Sequence, residues 1–248
     1  MRECEESLPR LYSKPSPDYR GRTISLSSVR DYLNAERERF LDVASVWPAP
    51  PVPGAKLLDV GIAYGFLSVL LKKAGGWECV GLEVGENIPV YCHLARDHGI
   101  PIHAGKLGLT PMPFVKDTFH GVIFSEVLEH LRLAPQIVLR ELHRILAPDG
   151  YLLITTPNFA RLTNIVKLLQ GRNPLETFPD IPTENITEHL THIREYTMPE
   201  LRTLLEDAGF RVTKASYSSC MERHRSHGWI TRLVPRWRGN LMVLAQKS

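Results

Sequence analysis

The chain has 248 residues, 43% of them apolar and 23% charged, and its 30 basic and 27 acidic side chains give a formal net charge of +3. This composition is ordinary for a globular chain, which excludes disordered and collagen-like proteins and is too weakly basic to indicate nucleic-acid binding. A chain of this length buries a full core without disulfide or metal crosslinks.

The cysteines and the hydropathy pattern bear on the compartment. The four cysteines are widely spaced and form no Cys-x-x-Cys pair, which argues against a zinc site and a disulfide framework. They are Cys4, Cys79, Cys92 and Cys220. The N-terminus lacks the apolar core of a signal peptide, and no apolar run approaches the roughly 18 residues of a membrane span. We therefore expect reduced thiols in a cytoplasmic protein without a transmembrane segment.

The N-terminal part of the chain predicts an appendage to a larger domain. Residues 1–25 carry prolines and charges without periodicity, which predicts a loosely packed arm. Apolar residues then recur at helical spacing from an N-cap at Ser27-Ser28 to about residue 47, and four prolines between residues 48 and 53 form a stiff linker. This divides the chain into an arm, helix and linker at 1–53 and a main domain at 54–248.

Beyond the linker, short apolar strands alternate with amphipathic helices. The predicted strands cover residues 56–60, 78–82, 100–104, 121–125, 151–156, 210–217 and 241–245. The predicted helices cover residues 66–73, 89–98 and 134–146, with a last one from a capping box at 197–200 to Gly209. Because parallel strands need helical crossovers, this alternation predicts a mostly parallel, doubly wound α/β sheet with helices on both faces.

The first strand and helix enclose the strongest local signal, KLLDVGIAYGFLS at 56–68. The strand carries Asp59 near its end, and Gly61, Ala63 and Gly65 then form a loop of small residues that opens the helix. Small residues let a ligand approach the backbone, and open α/β sheets bind ligands at the carboxyl ends of their strands. The loop therefore predicts a ligand site.

The second strand adds an acid to this site. It ends in Glu83, which lies 22 residues beyond Gly61, where a carboxylate can accept hydrogen bonds from ribose hydroxyls. The G-x-G-x-x-G pattern of dinucleotide-binding proteins is not met, because Gly61 and Gly65 are four residues apart. The loop and the acid together predict a nucleoside-containing cofactor.

These residues resemble the first motifs of the class I, Rossmann-like S-adenosylmethionine-dependent methyltransferases, whose loop is commonly Asp-x-Gly-x-Gly-x-Gly. The resemblance continues through SEVLEHL at 125–131, RILAPDGYLLITTPN at 144–158 and HIREYT at 192–197. It implies a seven-stranded sheet preceded by an N-terminal helical extension. Two positions depart from the family pattern: Ala63 replaces the middle glycine, and His120-Gly121 replaces a common Phe-Asp.

The resemblance also assigns the cofactor contacts. Glu83 is expected to hold the ribose hydroxyls and Val84 to pack on the adenine. Lys106 stands where many members carry an aspartate that binds the adenine amino group. The complete set implied for S-adenosylmethionine is Asp59, Gly61, Ala63, Gly65, Glu83, Val84, Lys106, Leu107, Ser125 and Glu126.

Polar side chains that suit methyl transfer follow the fourth strand. A methyl group leaves a sulfonium by in-line displacement, so an acceptor hydroxyl must be aligned and its proton removed. One helical turn after this strand brings Glu126 onto the same face as Glu129 or His130. A second polar cluster precedes the last capping box and contains Glu188, His189 and His192. We expect Glu129, His130 and His192 to be the catalytic residues.

Three interpretations of this constellation stay open. The Glu-x-x-Glu-His run with a later His is similar to the metal site of small-RNA 2′-O-methyltransferases, and related runs occur in ubiquinone-pathway O-methyltransferases. That resemblance implies Mg²⁺ or another divalent metal bound by Glu126, Glu129, His130 and His192. In the second interpretation no metal is used and His130 or His192 is the general base. In the third, Glu129 and His130 only cap the helix after the strand.

Three further segments have both a structural and a functional interpretation. Arg194 and Glu195 either pair with each other or hold the substrate. The arginine and tryptophan side chains of 222–238 belong to a solvated loop or contact a phosphate-bearing substrate. An insertion at about 159–190 follows the fifth strand and is a candidate substrate lid.

The resemblance and the polar cluster predict an S-adenosylmethionine-dependent methyltransferase that O-methylates a hydroxylated small molecule, sugar or glycolipid intermediate. The first alternative is a metal-dependent RNA 2′-O-methyltransferase, which the modest net charge disfavours. The second is a catalytically silent, cofactor-binding partner subunit, which Ala63 and Gly121 leave open. The expected partner is a small-molecule or glycan acceptor, and nucleic acid is less favoured.

Overall fold

The computed structural model describes residues 2–17, 23–108, 110–175, 192–218 and 228–248. Its N-terminal elements are helix α1 (Arg2–Leu11), the antiparallel strands β1 (Ser16–Pro17) and β2 (Thr23–Ile24), and helix α2 (Leu26–Val46). The expectation of a loosely packed arm in residues 1–25 is wrong. Cys4, Leu8 and Tyr12 recur every four residues along this helical segment, so they share one face and are buried in the core.

Helix α2 confirms the helix predicted for its segment, but the N-cap is Ser25 rather than Ser27 or Ser28. The Ser25 N–H donates to Ser28 Oγ at 2.8 Å, and the Ser28 N–H donates to Ser25 Oγ at 3.3 Å. Two backbone donors at the helix start are thereby satisfied reciprocally. This exchange needs two serines three residues apart, and Ser25 and Ser28 provide it, so the cap lies before the predicted position.

The main sheet has seven strands. Numbered on from β2, they are β3 (Lys56–Val60), β4 (Glu78–Glu83), β5 (Ile102–Ala104), β6 (Phe119–Ser125), β7 (Leu146–Pro157), β8 (Phe210–Ser218) and β9 (Asn240–Lys247). Their order in space is β5-β4-β3-β6-β7-β9-β8. Strand β9 is antiparallel to β7 and β8, and the other neighbouring pairs are parallel. The seven-stranded, mostly parallel, Rossmann-like sheet is therefore confirmed.

Helices pack on both faces of this sheet, as predicted. Beyond α2, the helices of the described residues are α3 (Phe66–Gly75), α4 (Ile88–Tyr91), α5 (His93–Asp97), α6 (Pro135–Ile145), α7 (Leu162–Leu169), α8 (Met198–Asp207) and α9 (Gly228–Leu233). Alternate residues of the strands face opposite sides, so Leu57 belongs to one core cluster and Leu58 to the other. The helix predicted at 89–98 is broken near Cys92 into α4 and α5. The capping box of Thr197 and Glu200 opens α8 as predicted.

The N-terminal segment shares a core with the sheet. Side chains of α1 and α2 pack in the same apolar cluster as Leu57 and the helices α3 and α5. The division between residues 53 and 54 stays a prediction. Cys4, Cys79 and Cys92 are buried and form no disulfide, and Cys220 lies outside the described residues. Within the described ranges, no helix combines the length and the apolar character needed to cross a membrane.

Candidate functional site

A cavity of about 550 Å³ opens at the carboxyl ends of the central strands. Strands β3 and β6 are neighbours, and the strand order reverses between them, since β4 follows β3 on one side and β7 follows β6 on the other. A crevice forms at such a reversal because the connections leave the sheet in opposite directions. The predicted loop and the predicted catalytic cluster both line this cavity.

The first part of the lining is the loop group, which we define as Asp59, Gly61, Ala63, Gly65 and Glu83. Gly61 and Gly65 have φ angles of +76° and +80°, a region that favours glycine. A Cβ on Gly61 would lie 2.7 Å from Val127 Cγ2, and one on Gly65 would lie 2.6 Å from Ala95 Cβ. Both positions therefore require glycine, because φ is positive and because there is no room for a Cβ atom.

Ala63 stands at the position where the family pattern commonly has its middle glycine. Its φ of +47° lies in the left-handed region, which costs a non-glycine residue about 1–2 kcal/mol. The Ala63 N–H donates to Glu83 Oε2 at 2.9 Å. Alanine thus adopts a backbone conformation here that glycine would adopt without this cost.

Glu83 fastens the loop to the end of β4. Its Oε1 accepts hydrogen bonds from the Val84 N–H at 2.9 Å and from Asn87 Nδ2 at 2.8 Å, in addition to the bond from Ala63 to Oε2. A carboxylate has about four acceptor sites, so Oε2 retains the capacity for a further donor such as a ribose hydroxyl. Glu83 is buried and lines the cavity, in the place that the cofactor prediction requires.

Asp59 lies under the loop. It is buried and accepts a hydrogen bond from Ser68 Oγ at 2.5 Å, which links the end of β3 to the first turn of α3. Burial raises the pKa of Asp59 to about 6, and the nearby charge of Glu83 acts in the same direction. The protonated form of Asp59 is therefore favoured more than it is in an exposed aspartate.

Helix α2 contributes lining residues that the sequence interpretation missed, among them Tyr32, Glu36 and Arg39. Arg39 is only 4% exposed. Its Nε donates to Glu36 Oε2 at 2.7 Å, and a terminal guanidinium nitrogen donates to Ser125 Oγ. The signal was present, because Glu36 and Arg39 fall within the apolar stripe of α2, where charges must find partners.

Aromatic rings hold the N-terminal segment against the loop. The ring of Tyr64 lies 4.9 Å from that of Tyr32, 5.2 Å from Tyr91 and 6.0 Å from Tyr12, measured between centroids. The Tyr12 hydroxyl donates to the Tyr91 carbonyl at 2.8 Å. Burial raises the pKa of Tyr32 to about 12, so its hydroxyl stays neutral. The segment before the linker is thus part of the cavity wall.

Ser125 is the last residue of β6 and Glu126 follows it, and both belong to a separate polar network. Ser125 Oγ lies 2.7 Å from Thr155 Oγ1, which donates to Glu126 Oε1 at 2.8 Å. Asn240 Nδ2 donates to the same oxygen at 2.9 Å, and an Arg39 nitrogen lies 3.8 Å from it. Glu126 has a φ of +55°, a strained conformation for a non-glycine residue. Its carboxylate is therefore directed to the ends of β7 and β9.

The second part of the lining is the histidine group, which we define as Glu129, His130 and His192. One potential ligand atom from each of the three residues lies within 4.8 Å of the other two. The two imidazole rings are 5.1 Å apart between centroids and nearly perpendicular, at 69°. Residues 62 positions apart in the chain thus meet, whereas Glu126 does not belong to this group in the described part of the chain.

Glu129 is the buried member of the histidine group, with 1% of its surface exposed. Its Oε2 accepts a hydrogen bond from Thr156 Oγ1 at 2.9 Å, but Oε1 has no hydrogen-bond partner among the described residues. Nε2 of His130 is 3.9 Å from that oxygen. Burial raises the pKa of Glu129 well above its usual range, and the charge of Glu126 adds to the effect.

His192 is held by a residue outside the cavity lining. Its Nδ1 lies 3.0 Å from Glu195 Oε1, and Glu195 also contacts Arg161 and Asn164. Arg194 instead pairs with Glu200 at 2.8 Å. The interpretation in which Arg194 and Glu195 pair with each other is therefore wrong, because consecutive side chains in this extended segment point in different directions.

Several predicted site residues lie elsewhere. Val84, Lys106 and Leu107 are not among the described residues that line the cavity. The Lys106 Nζ atom is exposed and lies 3.5 Å from Glu86 Oε1, and Leu107 packs on a core cluster. Their cofactor contacts stay predictions. Outside the described residues are Glu188, His189, Arg223, Arg225 and the part of the predicted lid from 176 to 190.

Comparison with known proteins gives a family match. A family model described as a methyltransferase domain matches residues 28–215. The mitochondrial ubiquinone biosynthesis O-methyltransferase of Bos taurus is 33% identical over 177 residues, which cover 68% of this chain and 45% of that protein. The corresponding protein of Rattus norvegicus is 30% identical over 205 residues, which cover 79% of this chain and 56% of that one. The chain thus spans about half the length of these relatives.

The fold has solved counterparts. A structure of an S-adenosylmethionine-dependent methyltransferase from Archaeoglobus fulgidus aligns with a TM-score of 0.59 at 18% identity, covering 88% of this chain and 99% of that one. At this identity the similarity concerns the fold alone. It agrees with the Rossmann-like fold described above.

Proposed function

Since the chain belongs to the class I, Rossmann-like S-adenosylmethionine-dependent methyltransferases, we propose that it methylates a hydroxyl oxygen of a small molecule, sugar or glycolipid intermediate. The observation that carries this proposal is that the histidine group and the loop group line the same cavity. A hydroxyl acceptor needs a nearby group that takes its proton, and imidazoles are suited to that role. The bovine and rat relatives, both named O-methyltransferases, support oxygen as the acceptor atom.

The charges of the cavity suit a cationic cofactor. S-adenosylmethionine carries a positive sulfonium beside the methyl group that it donates. Among the described lining residues, five are carboxylic acids and Arg39 is the one lysine or arginine. The acids are Glu36, Asp59, Glu83, Glu126 and Glu129. Burial raises the pKa values of Asp59 and Glu129, so the negative charge of the lining rests mainly on the other three acids. Three acids against one arginine still favour the sulfonium over the uncharged thioether that remains after transfer, and so favour binding of the cofactor and release of its product.

The transfer itself is a single displacement. The acceptor oxygen forms a bond to the methyl carbon while the bond between that carbon and sulfur breaks. The electron pair of the broken bond stays on sulfur, which loses its positive charge, and the product that remains is S-adenosylhomocysteine. The hydroxyl proton passes to an imidazole nitrogen of His130 or His192. The protein's part is to hold oxygen, carbon and sulfur in line and to receive the proton.

The histidine group also fits a divalent metal ion. Oε1 of Glu129 has no hydrogen-bond partner among the residues that the structure describes, and it lies next to two imidazoles. One carboxylate with two imidazoles is a donor set that suits Zn²⁺, Fe²⁺ or Mn²⁺ better than Mg²⁺. Glu129, His130 and His192 would hold such an ion, which would lower the pKa of a coordinated acceptor hydroxyl. With or without a metal ion, the same three residues would act on the acceptor hydroxyl.

A labelling experiment tests the proposal. The purified protein is incubated with a cell extract and with S-adenosylmethionine that carries a deuterated methyl group, and the organic, polar and RNA fractions are analysed by mass spectrometry. We expect labelled methyl ethers in the organic or polar fraction. Repeating the reaction after treatment with a chelator, and again after adding back Zn²⁺ or Mn²⁺, tests whether turnover depends on a metal.

Each other outcome contradicts O-methylation of a small molecule. Label confined to RNA would favour the 2′-O-methyltransferase alternative. Label on nitrogen or carbon would place the acceptor atom elsewhere. Cofactor binding without any labelled product would favour the catalytically silent subunit.

A further inference from the structure

Glu195 is a buried carboxylate beside the cavity rather than in its lining, and 6% of its surface is exposed. Four nitrogen atoms contact its two oxygens. Nδ1 of His192 and one terminal nitrogen of Arg161 lie 3.0 Å from Oε1, while the other terminal nitrogen of Arg161 and Nδ2 of Asn164, at 3.1 Å, contact Oε2. The carboxylate is therefore fixed from both sides.

These contacts determine which groups donate. The guanidinium of Arg161 donates to both oxygens of Glu195, and Nδ2 of Asn164 donates to Oε2, so these contacts stabilise the ionised carboxylate. An ionised carboxylate only accepts hydrogen bonds, so the ring nitrogen that faces it must carry a proton. Arg161 already compensates the negative charge, and the contact therefore does not require a cationic imidazole.

We propose that Glu195 is a positioning residue, which holds His192 in the tautomer with its proton on Nδ1 and leaves the lone pair of Nε2 for the cavity. The role rests on the proposed function, because Nε2 would then meet the acceptor proton or a metal ion. Both versions of the chemistry need the same lone pair. The sequence shows no sign of this role, because the His-x-x-Glu spacing alone does not say which way either side chain points.

The same carboxylate also fixes the beginning of α7. Arg161 is the N-cap residue of α7 and Asn164 lies in its first turn, where it is the one buried residue of the helix. Arg161 also donates to the Asn158 carbonyl at 3.1 Å, and Asn164 donates to the Phe159 carbonyl at 3.0 Å. One buried group thus joins His192 to the start of the insertion that was predicted to be a lid.

Nuclear magnetic resonance of the protein without cofactor or acceptor tests the tautomer directly. Long-range ¹H–¹⁵N correlation spectra of ¹⁵N-histidine-labelled protein, recorded at about pH 8 where histidine is ordinarily neutral, distinguish a proton on Nδ1 from one on Nε2. The His192 signals are identified by their loss in His192→Gln. We expect the proton on Nδ1 in the wild type, and a mixture dominated by Nε2–H in Glu195→Ala.

The matched control is Glu206→Ala, which removes an exposed glutamate of α8 and should leave the His192 spectrum unchanged. Glu195→Asp keeps a carboxylate and should restore part of the Nδ1–H population. In turnover assays, Glu195→Ala should lower kcat about 10- to 100-fold with the cofactor KM within about twofold of the wild type.

The proposal and the function on which it rests fail differently. A wild-type His192 with its proton on Nε2, or a tautomer that is the same in Glu195→Ala, would overturn the role of Glu195. The first of these results needs no variant, so it decides the matter even if Glu195→Ala does not fold. A wild type with Nδ1–H and no methylated hydroxyl product would instead contradict the proposed function alone.

Discussion

The loop group and the histidine group line one cavity, but different parts of the chain hold them. The loop group spans residues 59–83, and Glu83 in it accepts hydrogen bonds from the backbone N–H groups of Ala63 and Val84. The histidine group depends on side chains that meet from distant positions, such as Thr156 on Glu129 and Glu195 on His192. A site held by backbone is determined locally, whereas one held by side chains needs every partner in place.

The two groups also differ in how well their polar atoms are satisfied. Glu83 has hydrogen bonds on both oxygens, while Glu129 leaves Oε1 buried without a partner in the described part of the chain. An unsatisfied buried oxygen destabilises the fold, and proteins retain such groups mainly where function needs them. We therefore expect substitutions in the loop group to change cofactor affinity, and those in the histidine group to change turnover.

The largest expected effect is that of His192→Ala on turnover. Removal of a general base or metal ligand should lower kcat about 10³-fold. The hydrogen bonds that hold the loop group involve Ser68, Val84 and Asn87 and not His192, so the Kd of S-adenosylmethionine should stay within about twofold of the wild type. Steady-state kinetics with the acceptor found by labelling, together with calorimetry, measure both quantities. If the cofactor affinity fell as steeply as kcat, His192 would also be needed for cofactor binding, and the two groups would not have separate roles.

Glu83→Ala should have the opposite signature. It removes the acceptor for three protein hydrogen bonds and for the ribose. We expect the Kd of S-adenosylmethionine to rise about 100-fold, which corresponds to about 2.7 kcal/mol. Calorimetry measures it, and Glu86→Ala, an exposed acid three residues later that pairs with Lys106, is the control. Unchanged binding in Glu83→Ala would remove the ribose assignment.

Two glycine variants distinguish the cost of a collision in the loop from the cost of backbone strain alone. Gly65 and Gly76 both have positive φ, but a Cβ on Gly76 meets no atom within 4 Å. Gly76→Ala should lower the free energy of unfolding by about 1 kcal/mol, and Gly65→Ala by about 2–3 kcal/mol, because it also collides with Ala95. Urea denaturation measures both. Equal losses would mean that the loop and α5 move apart easily.

The last expected effect depends on pH and concerns the charge of Asp59. The folded pKa of about 6 lies above the ordinary value, so the stability that the protonated group provides is complete below about pH 4 and is lost as the pH rises through 6. Asn keeps an acceptor for Ser68 and carries no charge. Asp59→Asn should therefore gain about 1–2 kcal/mol over the wild type between pH 4 and pH 7. Urea denaturation at several pH values measures this difference, and one that does not vary with pH would contradict it.

The sequence predictions succeeded where the structure is determined by neighbouring residues, and they failed where the local pattern was weak or ambiguous. Strand β3 was predicted at its observed bounds, and the loop and Glu83 lie where predicted, because small residues after an apolar strand and an acid at the end of the next are local patterns. The arm before residue 25 was predicted wrongly, because three apolar residues among charges give a weak signal. The N-cap of α2 was misplaced, because several serines compete for it.

The sequence by itself determined the strands, most of the helices and the loop of small residues after β3, since periodicity and turn chemistry are properties of contiguous residues. Only the tertiary structure decided that Arg39 reaches Ser125, 86 residues away, and that Arg161 and His192 share Glu195. It also decided that Glu126 joins Thr155 and Asn240 while Glu129 joins the two histidines. Such contacts depend on which distant side chains the packed elements bring together, and no local pattern encodes that choice.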